Sequence, residues 1–475
     1  MDYFSSHPPV YEKNTKIFVW NCALQSSSDV VFDFCVHAHI GGSGEEGETV
    51  RYIERALLIS QCWLWRDGQI VAVEDTSLLS KIQLQYSIPD SAVTLLADGE
   101  FLCPGLVDCH IHAPQYVNLG LGLDKALLEW LDTYTFPLEE KYKDIDFATK
   151  VYNAVVNKTL DYGTTTACYF STIHLEGSLK LASIVKELGQ RALVGKVNMN
   201  QNSPESLTET TTASVQDTES FIKSVLDLQS DRVQPIVTPR FAISCDMDLM
   251  KQLGALAKKY KTAIQTHISE NQSEIATVLE MFPEYQTYTE VYDGANLITN
   301  RTVLAHGIYL EDSELKILVS KGSTIAHCPN SNTSLKSGEC NVPRLLAAGI
   351  SVGLGTDVSG GYSPSIIEAM RSALAVSTHL NFKEGGTPLT YHEVFHLATI
   401  GGAKALSLDN RIGNFVVGKE FDALIVNMNS FQKFPDELSN YTNEELLQKF
   451  IFTGDDRNIR RVYVAGNVAI HFHNI

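Results

Sequence analysis

The chain has 475 residues, of which 44% are hydrophobic and 20% charged, with a formal net charge of −19 at pH 7. This length exceeds what one ordinary hydrophobic core supports and predicts a large domain with a smaller one. The composition is typical of a globular protein. The acidic balance argues against nucleic acid or an anionic membrane as a partner, because both attract basic patches.

The cysteines and the N-terminal residues bear on the cellular compartment. Nine cysteines are scattered along the chain without a CxxC pair, which predicts reduced thiols of an intracellular protein. The first residues have neither the basic region nor the apolar core of a signal peptide. No segment reaches the run of about 18 apolar residues that can span a membrane. We therefore expect a cytoplasmic protein without a membrane segment.

The opening segment is predicted to be rich in β-structure. Residues 17–24 and 55–75 have the composition of strands, and Asp67-Gly68 is typical of a hairpin turn. Between them, the Gly- and Glu-rich residues 41–48 are expected to form a surface loop.

From about residue 104 to residue 410, strand patterns alternate with helical patterns. The strands are predicted to end at His112, Tyr169, Val197, Pro239, His267, His306, His327 and Asp357. Amphipathic helices are predicted at 147–162, 176–189, 247–261, 311–321 and 363–380. Eight such units are the number needed to close a parallel (β/α)8 TIM barrel, so the predicted fold class is α/β.

The C-terminal segment returns to β-structure. Residues 421–428, 460–465 and 468–472 are predicted strands, and Thr442 and Glu445 have the spacing of a capping box that opens a helix. We expect both chain ends to form one small β-sandwich domain. The predicted domains are therefore 1–98 and 413–475 for the sandwich and 99–412 for the barrel.

Histidines and one aspartate recur where the predicted barrel strands end. His110 and His112 are two residues apart, and residues i and i+2 of a strand face the same side, so both imidazoles can reach one metal ion. This spacing alone does not identify a site, because it also occurs at 37–39 and 471–473. Only the middle pair has partners at the ends of later strands, namely His267, His306 and Asp357.

The C-terminal ends of the strands are where a (β/α)8 barrel carries its active site. Three imidazoles and a carboxylate around one ion leave a position for water, which is the open arrangement of a catalytic zinc site. Zinc lowers the pKa of a bound water to about 7. Glu270 follows His267 by three residues and is expected to move protons to and from a leaving group. A lone histidine is more often packed than catalytic, so this prediction depends on the whole set.

Longer motifs around these residues resemble those of the zinc amidohydrolase superfamily. They are His110-Ile-His112 with Gln115, Thr266-His-Ile-Ser-Glu-Asn271, Leu304-Ala-His306-Gly and Gly355-Thr-Asp357-Val. Segments 104–116, 131–137, 163–166, 239–245 and 327–332 are similar to those of the branch of that superfamily that deaminates guanine. The similarity covers about residues 100 to 420, and Cys109 departs from it where a threonine is common.

The resemblance implies a set of roles. One Zn²⁺ per subunit would be bound by His110, His112, His267 and Asp357. Catalysis would use Glu270 as proton shuttle, His306 as hydrogen-bond donor to the attacking oxygen, and Asp357 as acceptor of a proton from water. The pocket for guanine would be formed by His112, Ala113, Pro114, Gln115, Arg240, Phe241, His267 and Asp357. For Phe241 an ordinary core position is an equal alternative. A homodimer is implied by the same resemblance.

The expected reaction is hydrolysis of guanine at C2, which gives xanthine and ammonia. The amide of Gln115 and the guanidinium of Arg240 match the edge of that purine. A related enzyme acting on another amino- or chloro-heterocycle is an alternative, and a non-catalytic scaffold is a further one. The fourth predicted strand carries no lysine that could bridge two metals, which favours one ion.

Two short motifs suggest other zinc chemistry. His392-Glu393-Val-Phe-His396 matches the helix motif of zinc peptidases, but no histidine follows between 397 and 425. Thr390 and Glu393 instead have the spacing of a capping box. His174-Leu-Glu176 matches half of the motif of another zinc deaminase fold, whose cysteine half is absent. We expect neither motif to bind metal.

Overall fold

Eight parallel strands, β1 to β8, form the centre of the larger of two units. The computed structural model describes residues 16–19, 34–35, 53–54, 61–429 and 441–471. Neighbours in the sheet follow chain order. The strands are Leu106–His112, Thr164–Phe170, Arg191–Gly195, Val233–Pro239, Ala263–Ile268, Thr302–His306, Thr324–His327 and Ser351–Leu354. The predicted loop 41–48 and the pair His37 and His39 lie outside the described residues.

Backbone hydrogen bonds join β1 to the segment after β8. The Asp357 amide donates to the His110 carbonyl at 2.9 Å, and the His112 amide donates to the Val358 carbonyl at 3.2 Å. These bonds bring the two ends of the eight-stranded sheet together. Every residue of β1 and of β2 is buried, as expected when helices cover a parallel sheet. The predicted (β/α)8 barrel is confirmed.

Helices follow each strand of the barrel. They are Leu127–Trp130, Phe136–Glu139, Ile145–Asp161, Leu175–Leu188, Thr211–Leu226, Met247–Tyr260, Gln272–Met281, Tyr288–Gly294, Asp312–Lys321, Pro329–Ser334, Val342–Ala347, Ile366–Glu384, Tyr391–Ala398 and Ile400–Ala405. A π-helical turn, Leu131–Thr135, joins the first two. The side chains of Asp144 and Asp246 cap helix N-termini, and Gly189 and Gly322 end helices in the left-handed conformation.

Two predicted strand ends differ from the structure by more than one residue. β3 ends at Gly195, and Val197–Asn198 forms a separate two-residue strand beside the end of β4. β8 ends at Leu354, so Asp357 lies three residues beyond the strand that was predicted to carry it. Asp357 has a φ of +48°, in the left-handed region, which is incompatible with continuing a strand.

The described residues before 105 and after 409 form the smaller unit. One of its sheets contains Lys16–Val19, Gln61–Arg66, Gln69–Asp75 and Val93–Leu95, and the other contains Glu100–Pro104, Ala423–Asn427, Ile459–Val464 and Asn467–His471. Two helices, Leu79–Tyr86 and Asn443–Thr453, belong to the same unit, together with the paired segments Phe34–Cys35 and Ile53–Glu54.

The indole of Trp65 connects the two sheets of the smaller unit. It is stacked on Phe421 at 4.1 Å and meets the edge of Tyr463 at 5.9 Å. These rings form a core between two four-stranded sheets, built from both parts of the chain. Glu100–Pro104, which the predicted boundaries assigned to the barrel, pairs here with Ala423–Asn427. The predicted domain boundaries themselves stay a prediction.

Seven cysteines in the described range are buried free thiols: Cys62, Cys103, Cys109, Cys168, Cys245, Cys328 and Cys340. Among the helices of the described residues, none has both the length and the apolar character needed to cross a membrane.

Candidate active site

A cavity at the C-terminal ends of the barrel strands gathers most of the predicted site residues. It contains about 400 Å³ of empty space including its mouth, within the usual size of a small-molecule site. Predicted residues in its lining are His112, Gln115, Arg240, Phe241, His267, Glu270, His306 and Asp357. Leu127, Trp130, Leu131, Leu335 and Gly360 complete the lining.

Four side chains meet where a metal ion could be held. The ligand atoms of His110, His112, His267 and Asp357 all lie within 4.8 Å of one another. The Nε2 atoms of His112 and His267 are 3.1 Å apart. Oδ1 of Asp357 lies 3.1 Å from Nε2 of His110 and 3.5 Å from Nε2 of His112.

These spacings fit zinc. Two ligands at tetrahedral positions on zinc, each about 2.0–2.1 Å from the ion, are about 3.3 Å apart. Nε2 of His110 is buried and makes no well-aligned hydrogen bond, and the nearby Oδ1 of Asp357 at 3.1 Å is itself one of the candidate ligand atoms. A buried nitrogen that lacks a well-aligned hydrogen bond costs free energy, which a bound cation would offset. The ligand set of three imidazoles and one carboxylate therefore matches a borderline-soft divalent cation.

The charge states of the four groups suit metal binding. Burial lowers the pKa of His110, and it lowers those of His112 and His267 further, together with the neighbouring imidazole of His110. Burial alone would raise the pKa of Asp357, but the surrounding imidazoles hold it well below its usual range. Neutral imidazole and ionised carboxylate are the forms that bind metals.

The backbone after β4 orients His267. Nδ1 of His267 donates to the Arg240 carbonyl at 2.6 Å, which leaves the lone pair on Nε2 and directs it toward His112. Such bonds to the far nitrogen of a metal-binding histidine fix its tautomer and ring direction.

Glu270 and His306 form a pair next to the other carboxylate oxygen of Asp357, Oδ2. Oε2 of Glu270 is 3.4 Å from Nε2 of His306, which is in turn 3.7 Å from Oδ2 of Asp357. Burial raises the pKa of Glu270 to about 7. Burial alone would lower the pKa of His306, but Glu270 and Asp357 raise it overall. A carboxyl group whose pKa is raised toward neutrality therefore lies beside an imidazole that tends to keep its proton, and this pair can exchange a proton.

Two polar residues that sequence reasoning missed orient this pair. The hydroxyl of Ser337 donates to Oε1 of Glu270 at 2.8 Å. Oδ1 of Asn332 lies 2.8 Å from Nδ1 of His306. Asn332 lies in segment 327–332, one of the segments that resemble the family. No sequence pattern indicated Ser337, because its role depends on the path of the chain after β7.

The turn after β1 places the other predicted substrate residues. Ala113–Asn118 is a 3-10 turn in which Ala113 and Pro114 are buried and Gln115 reaches the cavity. The Pro114 carbonyl accepts a hydrogen bond from the Tyr142 hydroxyl at 2.5 Å. Phe241 lies in the cavity wall, 6.4 Å from the ring of His267.

The two competing zinc motifs do not form metal sites within the described residues. The carboxylate of Glu393 accepts from the Thr390 amide at 2.7 Å, and the Thr390 hydroxyl accepts from the Glu393 amide, which is the predicted capping box. Nδ1 of His174 lies 3.0 Å from the Thr172 hydroxyl. No group of side chains able to hold an ion in the described part of the chain includes His392, His396 or His174.

A parallel barrel with a candidate metal site at the C-terminal ends of its strands is the architecture of one class of hydrolases. The model of the amidohydrolase family matches residues 101–469, and the chain belongs to that family. It is 49% identical to guanine deaminase of Mus musculus over 412 residues, which are 85% of this chain and 90% of that protein. It is 34% identical to guanine deaminase of Escherichia coli over 81% of this chain and 86% of that protein.

A solved structure with bound ligand has the same fold. Guanine deaminase from C. acetobutylicum, with bound guanine in its active site, matches with a TM-score of 0.81 and 35% identity, over 96% of this chain and 100% of that one.

Proposed function

We propose that this protein hydrolyses guanine to xanthine and ammonia. The observation that carries the proposal is 49% identity to a guanine deaminase over 85% of the chain, across the segments that line the cavity. The cavity offers an amide, a guanidinium and an aromatic ring, which together match the polar edge and the flat face of a purine.

The proposed metal is one Zn²⁺ per subunit, held by His110, His112, His267 and Asp357. Its support is the fit of the ligand spacings and of the neutral imidazoles described above. When bound, zinc would supply a water that ionises near neutral pH and would polarise the reacting carbon–nitrogen system.

The protein's own groups account for the proton transfers. Asp357 takes one proton of the attacking water, while Glu270 donates its proton to N3 of the purine as oxygen bonds to C2. Glu270 then takes the second proton of that water and passes it to the amino nitrogen, and the C2–N bond breaks to release ammonia. Return of the proton from Asp357 to Glu270 restores both groups. His306 donates a hydrogen bond to the incoming oxygen and lies within 3.7 Å of both carboxylates.

The proposed substrate contacts come from two sides of the cavity. Gln115 and Arg240 would hold the oxygen and nitrogen edge of guanine, and Phe241 would cover its face. His112, His267 and Asp357 would contact the reacting end, and Ala113 and Pro114 would shape the turn that carries Gln115. Leu127, Trp130 and Leu131 contribute apolar side chains to the lining of the cavity.

Two further properties are proposed, a homodimer from the family resemblance and a cytoplasmic location from the scattered cysteines and the N-terminal residues. The protein is a homodimer, which light scattering coupled to gel filtration would test by mass. It acts in the cytoplasm, which imaging of a tagged full-length chain would test.

The test of function is ammonia release by purified, zinc-loaded protein. Guanine, adenine, cytosine and a chlorotriazine are compared, each with a chelator-treated control. Chelator-sensitive release from guanine alone is expected. Release from another ring would overturn the substrate, and no release from any ring with zinc bound would favour a scaffold.

A further inference from the structure

Glu139 is a fully buried carboxylate whose two oxygens hold two residues of the cavity. Oε1 accepts from Nε2 of Gln115 at 3.1 Å, and Oε2 accepts from Nη1 of Arg240 at 2.7 Å. The three side chains are 0–3% exposed. Gln115 lies in the turn after β1 and Arg240 directly follows β4, so Glu139 is a group that links the ends of two different strands.

The first link fixes which way the Gln115 amide points. Its nitrogen faces Glu139, and its oxygen accepts from the Ser359 amide at 3.2 Å. A flipped amide would place its nitrogen against the Ser359 N–H and its oxygen against a carboxylate. The remaining lone pair of the Gln115 amide oxygen and the second N–H of its nitrogen therefore each point in a fixed direction.

The second link fixes the guanidinium of Arg240. One of its nitrogens is bound to Glu139, and the group lies 5.3 Å from the centre of the Phe136 ring. Since a guanidinium is planar with five N–H donors, holding one nitrogen and one face determines where the others point.

The pairing also sets the charge of this wall of the cavity. An unpaired buried guanidinium would favour anions, whereas an ion pair with Glu139 is neutral overall. Guanine is neutral near pH 7, but its hydrolysis product, xanthine, loses a ring proton more readily. A neutral wall therefore favours the substrate over the ionised product.

We propose that Glu139 is a positioning and specificity-determining residue. It aligns Gln115 and Arg240 for a neutral aminopurine and weakens binding of anionic oxopurines, including the ionised product. This inference rests on the proposed function. Support of the turn that carries Gln115 does not depend on Glu139 alone, because Tyr142 holds the Pro114 carbonyl of the same turn at 2.5 Å.

The test compares Glu139→Gln with the control Glu129→Gln. Glu129 lies on the same helical segment but is exposed, and it pairs with the surface residue Lys125. KM and kcat for guanine and Ki for xanthine are measured at pH values below and above the ionisation of xanthine. Zinc content and melting temperature are measured on the same samples.

We expect Glu139→Gln to raise KM for guanine about tenfold or more, with kcat within about threefold of the parent. The ratio of Ki for xanthine to KM for guanine should fall about tenfold or more, and further at the higher pH, because the guanidinium has lost its partner. Glu139→Asp keeps the charge but is one methylene shorter, so it should raise KM without changing that ratio. Glu129→Gln should match the parent.

The outcomes separate this inference from the function. If the parent and Glu129→Gln do not release ammonia from guanine, the proposed function is wrong. If both are active and Glu139→Gln keeps the parent ratio of Ki to KM, the inference is wrong, whether its activity is normal or uniformly reduced. If Glu139→Gln does not fold, Glu139→Asp decides, and an unchanged KM overturns the inference.

Discussion

Nδ1 of His267 lies 2.6 Å from the main-chain oxygen of Arg240. The same arginine pairs through its side chain with Glu139 and lines the cavity. One residue thus orients a proposed metal ligand through its carbonyl and faces the proposed substrate through its guanidinium. A shift of the backbone after β4 would disturb both the proposed metal site and the proposed purine pocket.

Replacing His267 with alanine should abolish both metal binding and activity. The variant loses one of the four proposed ligands. Without zinc the attacking water keeps its ordinary pKa, so the transition state should lose several kcal/mol of stabilisation and the rate should fall about 10³-fold or more. Zinc per chain by mass spectrometry and ammonia release from guanine are the measurements. His379→Ala, at an exposed position, is the control. Full zinc content in His267→Ala would contradict the assigned ligand set.

Removing the Ser337 hydroxyl should shift the alkaline limb of the pH profile upward. Burial raises the pKa of Glu270 to about 7, while the hydrogen bond from Ser337 opposes that rise by stabilising the carboxylate. The proposed mechanism begins with Glu270 protonated, so kcat/KM should fall as pH rises through this pKa. Ser337→Ala raises the pKa and should move the fall to higher pH by about half a unit to one unit.

The control for this profile is Ser320→Ala, an exposed serine of helix Asp312–Lys321. A displaced acidic limb with an unmoved alkaline limb in Ser337→Ala would mean that Glu270 begins the reaction as a carboxylate.

Replacing Thr390 with alanine should weaken the fold without affecting zinc. The Thr390 hydroxyl caps the helix Tyr391–Ala398 by accepting from the Glu393 amide, and loss of an N-cap costs about 1 kcal/mol. Denaturant unfolding should give a lower free energy of unfolding, while zinc per chain and activity stay at the parent values. Zinc loss in this variant would revive the peptidase-like interpretation of His392 and His396.

The acid sensitivity of the protein should decrease when His327 is replaced by leucine. His327 is 1% exposed, neither ring nitrogen has a hydrogen-bond partner in the described structure, and burial lowers its pKa to about 3. Between about pH 3 and 6.5 the unfolded chain binds a proton here that the folded chain does not. The free energy of unfolding should therefore fall as pH falls through this window, by up to ~1.4 kcal/mol per unit.

Leucine has a similar volume and does not titrate. In His327→Leu the slope of the free energy of unfolding against pH should therefore be smaller by the contribution of about one proton. The other buried histidines are common to both proteins and cancel in the comparison. Parallel stability curves for the parent and the variant between pH 6.5 and 5 would contradict this account of His327.

Local sequence patterns were sufficient to predict the barrel and the histidines and acidic residues of its cavity, whereas Gln115, Arg240 and Phe241 were predicted only from the family resemblance. Fully buried parallel strands appear in a sequence as near-continuous apolar runs, and amphipathic helices repeat apolar residues with a period of about 3.6. The alternation of these two patterns from 104 to 410 therefore predicted eight βα units. His110 and His112 share a face because side chains alternate along a strand. Since all eight strands end at one side of the barrel, His267, His306 and Glu270 could be expected to meet them.

Only the tertiary structure decided how these residues are held. Asp357 reaches the cavity from a left-handed position beyond β8, where its backbone is bonded to His110. Glu139 stands 24 residues after Gln115 and 101 before Arg240, and neither separation has a pattern that a local rule could detect. The spacing of apolar residues along the sequence indicates which face of a helix or strand is buried. Which buried polar groups then pair depends on loop paths and on close packing between elements that are distant in the chain.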